Sequence, residues 1–436
     1  MQRYEKYKDS GIDWLGEVPE HWEVKKITHV FKQIGSGTTP TAGSALYYEN
    51  GIINFLQTGD LNDNYIFSTS KKITEKALLE YSSLKIFPVG SLVIAMYGAT
   101  IGKLGILKIE AATNQACCVL GECQIDLELK YIFYWFMFAK NQILSMSYGG
   151  GQPNISQDLI KSLRVHFPSV GEQIAIVTFL DDKCERIDAA IVLKEQQIEK
   201  LKELRQITIH NAVTKGTSNF KGETVPTKYS GIDWIGEIPK HWEVKANRTI
   251  FIERSENGDE SLPLLSVSIH SAVSKEEIDE DLNIRGRIKI EDKSKYKLVR
   301  SNDIVFNMMR AWQGAIGQVS NDGMVSPAYI VAKPIISINS MFVEYLFRTR
   351  GYIESMNRVS KGITDFRKRL YWDQFKALNT LLPPISEQEE IVVYLEEQTS
   401  KIDKAIAQKR AQIIKLKEYK QSLINEVVTG KIKIIA

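Results

Sequence analysis

The 436-residue chain has only four cysteines, Cys117, Cys118, Cys123 and Cys184, and they form no Cys-x-x-Cys pair. That spacing excludes a disulfide framework and predicts reduced thiols packed as small apolar side chains. The six histidines, His21, His29, His166, His210, His241 and His270, are scattered and show no metal-ligand spacing. A bilayer span needs about 20 apolar residues, and the longest aromatic-apolar run, Tyr131 to Ala139, has nine. The opening Met1-Gln2-Arg3-Tyr4-Glu5-Lys6-Tyr7-Lys8 is charged and lacks a signal-peptide core, so a soluble, cytoplasmic chain with no membrane partner is expected. An excess of one charge is missing too. Lys plus Arg is 56 and Asp plus Glu is 53, a net charge of +3. Total charge therefore gives no argument for nucleic acid, and any basic face must be local.

Catalytic signatures are equally scarce. No Gly-x-Ser-x-Gly elbow and no His-Glu-x-x-His pair occurs. Gly98-Ala99-Thr100-Ile101-Gly102-Lys103-Leu104 falls short of a phosphate loop, with three residues between the glycines and Leu after the Lys. A strand followed by a turn is expected there. Ser326-Pro327-Ala328-Tyr329 is similar to the Asn-Pro-Pro-Tyr loop of DNA adenine methyltransferases. However, Ala328 replaces the second proline, and the first half has Asn114-Gln115-Ala116-Cys117 at the aligned place. No Gly-rich cofactor loop follows a strand in the order such an enzyme needs. His21 and His241 recur between charged residues and Trp; a frame hydrogen bond is the expected role, with a general base as the alternative.

Apolar residues make up 43% and charged residues 25%, which suits a folded chain and not a disordered one. At about 150 residues per domain the length predicts roughly three domains. A domain-sized repeat organises them. Ser10-Gly11-Ile12-Asp13-Trp14 through Pro19-Glu20-His21-Trp22-Glu23-Val24-Lys25 returns as Ser230-Gly231-Ile232-Asp233-Trp234 through Pro239-Lys240-His241-Trp242-Glu243-Val244-Lys245. Glu172-Gln173 and the run to Val213-Thr214 return as Glu387-Gln388 and the run to Val428-Thr429. Each half thus has a fixed opening, a variable body and a fixed helical close, which marks a tandem duplication.

The closing segments carry heptads. Ile402, Ile406, Ile413, Leu416, Leu423 and Val427 alternate at spacings of four and three, with Lys409 and Lys420 in the remaining seam slots. The first copy offers Ile187, Ile191, Ile198 and Leu201, with Lys194, Arg205 and Thr208 in the seam. Such a pattern predicts a coiled coil. A helix from Glu172 to Thr214 would be about 60 Å long, too long to bury in a domain of this size. Two matching helices in one chain are expected to pair antiparallel, the alternative being a single exposed helix on its own domain. The bodies read as α+β. Ile52 to Leu56, Ser91 to Met96 and Ile304 to Met308 are strand candidates, and Tyr131 to Ala139 and Phe342 to Phe347 are core-helix candidates.

Local basic charge gathers at Arg358, Lys361, Arg367, Lys368 and Arg369, against the single acid Asp365, with Gly362 and Thr364 in an expected turn; Arg348 and Arg350 precede it. Arginine suits phosphates and guanine edges, although a charge run is also an ordinary solvated loop. At a similar place in the first half, Tyr148-Gly149-Gly150-Gly151-Gln152-Pro153-Asn154 offers Gln152 and Asn154 for adenine edges. A second candidate loop holds Arg310, Trp312 and Gln313, and its counterpart holds Tyr97 and Lys103.

Together these residues resemble the DNA-specificity subunit of type I restriction-modification systems. The resemblance covers nearly the whole chain. It rests on Ser-Gly-Ile-Asp-Trp-x-Gly-x-x-Pro-x-His-Trp at 10–22 and 230–242, on Tyr97 to Lys103, Thr113-Asn114-Gln115-Ala116 and Gly151-Gln152-Pro153-Asn154-Ile155-Ser156, and on Pro383 to Gln388 and Val427-Val428-Thr429-Gly430-Lys431. Ser169-Val170-Gly171 departs from the pattern at the second proline, and Lys215-Gly216 inverts Gly430-Lys431. The resemblance implies an α+β architecture with two similar target-recognition domains, residues 1–170 and 226–385. A central helical spacer and linker (171–225) and a C-terminal helical spacer (386–436) would form an antiparallel coiled coil with pseudo-twofold symmetry. It implies a non-catalytic subunit that reads a bipartite, asymmetric site in double-stranded DNA. Two methyltransferase subunits and two restriction subunits would be its partners. S-adenosylmethionine, ATP and Mg would be bound by those partners, and no cofactor or metal by this chain. The rival readings are a self-contained adenine methyltransferase and a coiled-coil adaptor with no DNA role.

Overall fold

The computed structural model describes residues 2–147, 154–218, 222–259, 261–269, 272–275, 295–362 and 368–434. The chain divides into two compact units, Met1–Lys194 with Ala411–Ala436, and Glu195–Arg410. Unit one therefore holds the opening of the first long helix (Val170–Lys215) and the close of the second (Ile385–Val428). Unit two holds the close of the first and the opening of the second. Each unit is α+β. Among the described residues no helix is long and apolar enough to cross a membrane.

In unit one a five-stranded sheet runs in the order Phe31–Gly35, Cys117–Cys123, Leu92–Ala95, Leu104–Leu107, Asn64–Ile66. Its pairs are antiparallel except the last, which is parallel. Leu92 to Ala95 and Leu104 to Leu107 are buried throughout, as an all-apolar strand requires when both faces are covered. A smaller sheet orders Lys71–Ile73, Ile53–Leu56, Ala111–Thr113 and Ile86–Phe87. The aromatic run forms the helix Leu129–Ser145, capped by the Glu128 carboxylate, with Tyr131, Trp135 and Phe136 buried. In unit two the order is Phe251–Glu253, Tyr329–Pro334, Ile304–Asn307, Ile316–Gln318, and the matching helix is Ser340–Phe347, capped by Asn339. The expected strands and both core helices are present. Cys117, Cys118 and Cys184 are buried as expected; Cys123 departs from that expectation, because it lies at the end of its strand where the sheet opens to solvent.

The fixed openings explain themselves in the packing. Each forms a hairpin (Tyr7–Asp9 with Glu17–Pro19; Thr227–Tyr229 with Glu237–Pro239). A following strand then pairs with the strand that leads into the long helix: Glu23–Lys26 with Arg164–Phe167, and Glu243–Ala246 with Asn379–Leu382. The repeated Glu-Gln pair opens each long helix. Gln173 donates to the Pro168 carbonyl at 2.9 Å and accepts from Glu128 N at 3.0 Å. Gln388 does the same with Pro383 at 2.8 Å and Asn339 N at 2.8 Å. The acid before it binds the frame. Glu172 takes His21 Nε2 at 3.0 Å and Trp22 Nε1 at 3.3 Å, and Glu387 takes His241 Nε2 at 2.5 Å and Trp242 Nε1 at 2.8 Å. The frame histidines are thus hydrogen-bonded frame residues.

The helices pair antiparallel inside each unit. In unit one Lys194 donates to Gln412 at 2.7 Å and Lys420 meets Asp188 at 2.7 Å. In unit two Lys409 donates to Gln197 at 2.7 Å and Arg205 meets Asp403 at 3.4 Å. The duplication maps one pair of bonds onto the other. The charged seam slots Lys194, Arg205, Lys409 and Lys420 are therefore filled by cross-helix partners, which fix register at some cost in apolar contact. Ile187, Ile191, Ile198, Ile402, Ile406, Ile413, Leu423 and Val427 are buried in the seam, while Leu201 and Leu416 are half-buried. Each helix then ends on a left-handed glycine, Gly216 at φ +72° and Gly430 at φ +71°. A Cβ on Gly430 would stand 2.4 Å from the Pro19 ring, and one on Gly216 3.3 Å from Trp242. The inverted dipeptides are thus a one-residue shift of the same cap.

Two anchors give predictions. His166 is fully buried, stacked on Trp22 at 5.3 Å; its Nδ1 accepts from Trp135 Nε1 at 3.4 Å and its Nε2 donates to the Val428 carbonyl. That set fits only the neutral ring, and burial pushes its pKa down to about 4. The unfolded chain therefore binds a proton the fold refuses once pH drops below about 6.5. Unit one should lose stability progressively from about pH 6.5 to 4, by on the order of 3 kcal/mol. Thermal melts across that window check it, and His166→Gln should flatten this part of the pH dependence.

The second anchor is Arg348, half-buried at the end of Ser340–Phe347. It donates to the carbonyls of Ser268, Ile269, Gly314 and Ile316 at 3.4, 2.9, 3.3 and 3.1 Å. Arg348→Ala should leave those carbonyls to water, cost about 1–3 kcal/mol, and speed amide hydrogen exchange across 314–316.

Candidate nucleic-acid interface

At one end of the main sheet in each unit, three segments are tied together by main-chain bonds. In unit one, Met96 N donates to Ala116 O at 2.8 Å and Ile155 N donates to Met96 O at 2.8 Å. In unit two, Met308 N donates to Ala328 O at 3.2 Å and Leu370 N to Met308 O at 2.9 Å. The loop after the central strand, the turn before its neighbour and the segment leading to the last short helix thus converge by one rule in both units. Backbone bonds hold them, so the side chains at their tips are free to differ.

In unit one the loop after Leu92–Ala95 closes on itself, with Gly102 N on Ala95 O at 2.8 Å and Ala95 N on Lys103 O at 2.9 Å. It is a turn, as its sequence predicts. Tyr97 and Lys103 are half-exposed on it, and burial raises the Tyr97 hydroxyl above its usual value. Asn154 is exposed beside Ile155, so Tyr97 and Asn154 flank the same Met96–Ile155 bond. Gln152 lies outside the described residues.

In unit two Arg310 and Gln313 are exposed and Trp312 is half-exposed on the short turn Ala311–Gln313. Trp312 Nε1 donates to Met309 O at 2.9 Å, and Gly314, at φ +95°, closes the turn. The basic segment is pinched at its base by a two-residue bridge, Lys361 N to Arg369 O at 2.9 Å and Arg369 N to Lys361 O at 2.8 Å. Lys361 is exposed. Lys368 bonds Asn357 at 2.9 Å and stands 5.8 Å from the Trp312 ring centroid, which brings two separately chosen candidates together. Thr364 and Arg367 lie outside the described residues. Ser326-Pro327-Ala328-Tyr329 is the turn that receives the Met308 bond.

Arg348, counted in the sequence among the local basic charge, instead faces main-chain carbonyls and holds this loop end. Arg350 is exposed and pairs with Glu354 at 2.9 Å. Two side chains outside the candidate contact set, Thr39 and Gln115, meet at 2.6 Å beside Tyr97. Their separation of 76 residues leaves no periodic trace.

Residues 19–203 match the Type I restriction modification DNA specificity domain. The chain is 30% identical over 236 residues to the type I restriction enzyme MjaIX specificity subunit of Methanocaldococcus jannaschii, an alignment covering 53% of this chain and 52% of that one. It is 25% identical over 440 residues to the MjaVIII specificity subunit of the same organism, covering 96% and 94%. The chain spans about half the length of two of the curated relatives it matches. A solved chain described under the structural basis of complex assembly and conformational transition of the type I R-M system superposes with a TM-score of 0.69. It is 14% identical, and 95% of this chain and 99% of that one are covered, a likeness of fold. The chain is thus similar over residues 19–203 to the type I restriction modification DNA specificity domain, and over most of its length to type I restriction enzyme specificity subunits.

Proposed function

We propose that this chain is a non-catalytic, sequence-specific DNA-binding subunit that reads a bipartite, asymmetric site, one half per unit. The observation that carries the reading is the pair of loop clusters, anchored by equivalent main-chain bonds but tipped with different side chains. Equal scaffolds with unequal tips suit two unlike half-sites. Base identity is read by side chains in the groove, and the scaffold only positions them. Tyr97, Lys103, Gln152 and Asn154 form the contact set of unit one. Arg310, Trp312, Gln313, Lys361, Thr364, Arg367 and Lys368 form that of unit two.

In this reading the antiparallel long helices act as a ruler, and a pseudo-twofold relation of the fixed frames lets two identical partners dock. Those partners are two methyltransferase subunits, which modify adenine with S-adenosylmethionine, and two restriction subunits that use ATP and Mg. The complex acts in the cytoplasm. The names of the relatives, all type I specificity subunits, support this assignment of labour.

The assembled complex should bind target DNA with an affinity that falls steeply as salt rises and that discriminates between sequences. Methyl transfer by the purified chain alone would instead favour the enzyme reading. Replacing Arg310 and Lys361 by Ala should weaken binding and flatten the slope of log affinity against log salt by about one per lost phosphate contact. A gel-shift series at four salt concentrations measures it, and an unchanged slope removes these residues from the interface.

A further inference from the structure

The turn that receives Met96 carries Gln115, within Thr113-Asn114-Gln115-Ala116. Asn114 shapes it: its Oδ1 accepts from Ala116 N at 3.1 Å, and its own N–H donates to Leu56 O at 3.2 Å. That turn puts Gln115 at the tip, exposed. Its amide is held at the oxygen: Oε1 accepts from the Thr39 hydroxyl at 2.6 Å, and the Tyr97 hydroxyl lies beside the amide. Thr39 is brought there because Gly37 lies hard against the turn, its N–H on Thr113 Oγ1 at 3.0 Å. A Cβ at Gly37 would stand 1.9 Å from Thr113 O, so no other residue permits the approach.

A glutamine amide has two N–H donors and two acceptor lone pairs. Thr39 takes up one lone pair. An acceptor and an N–H donor remain, on a side chain already held at its oxygen. Adenine presents the complement in the major groove, the N7 acceptor beside the N6 donor. In unit two the same turn is shaped by Ser326, whose Oγ accepts from Ala328 N at 3.4 Å, and its tip is Pro327, which has no side-chain donor or acceptor.

We propose that Gln115 is a specificity-determining residue of unit one that reads an adenine edge, with Thr39 and Tyr97 as positioning residues. The inference rests on the DNA-reading function proposed above. Fixing the amide before DNA arrives lowers the ordering cost of the contact.

The test is methylation mapping on genomic DNA in cells that express the full chain with its methyltransferase partner. The wild type should give one bipartite motif. Gln115→Ala should make one adenine position of one half-site degenerate, with discrimination there falling tenfold or more; the other half-site stays intact. Thr39→Val and Tyr97→Phe should relax the same position more weakly. Gln115→Glu keeps the shape but loses the donor, and should select against adenine at that position. Melting midpoints of the purified variants separate folding from reading. An unchanged motif with Gln115→Ala and Gln115→Glu, or a uniform loss at all sites with normal melting, overturns the inference while the DNA-reading function stands. A wild type that yields no bipartite motif brings down that function, and the inference with it.

Discussion

Each unit is held at one indole. Trp22 is fully buried, gives its N–H to Glu172 at the opening of the first long helix, stacks on His166, and packs against Gly430 at the close of the second. Trp242 does the same with Glu387 and Gly216. An indole has one donor and a large apolar face, so it can bind a helix opening at its edge and a helix close at its ring. In the duplicated chain the opening and the close come from different halves. Neither unit can be completed from its own half of the sequence.

The crossing also accounts for what the duplication retained. The Glu that meets the indole, the Gln that joins the proline carbonyl to the next helix cap, and the glycine that leaves room for the ring recur in both copies. One contact of the crossing itself differs between the copies, the bond from His166 to the Val428 carbonyl. His166 sits opposite Val24 in its strand pair, and Leu381 sits opposite Val244 in the equivalent pair. An apolar side chain fills the same place without a titrating group. Acid sensitivity from this source therefore belongs to unit one alone.

The sequence made the frame legible because the frame is governed by short-range rules. Heptad spacing, the tandem motif and the apolar runs report which face of a helix or strand is buried, and burial follows period. Cross-helix pairs such as Lys194 with Gln412 follow once the seam and direction are known. The reading surface obeys no period. Thr39 meets Gln115, and Lys368 meets Trp312, through loop closures set by Gly37 and by the Lys361–Arg369 bridge. Charge counting misjudged Arg348 for the same reason. Its position after a core helix turns the guanidinium inward to four carbonyls, and only the fold reveals that.

This division of labour has an energetic basis. The loop clusters are fastened by Met96 and Met308 through their peptide groups, and a peptide group survives any change of side chain. Substituting an exposed tip usually changes stability by less than about 0.5 kcal/mol, whereas a changed groove contact alters base discrimination by about 1–3 kcal/mol. A glutamine at one tip and a proline at the other can therefore coexist on one scaffold without disturbing either fold. The constraint runs the other way at Gly37, where any side chain would collide with the Thr113 carbonyl. The backbone beneath a reading tip is thus fixed by packing, and the tip itself is the part open to selection for a new target.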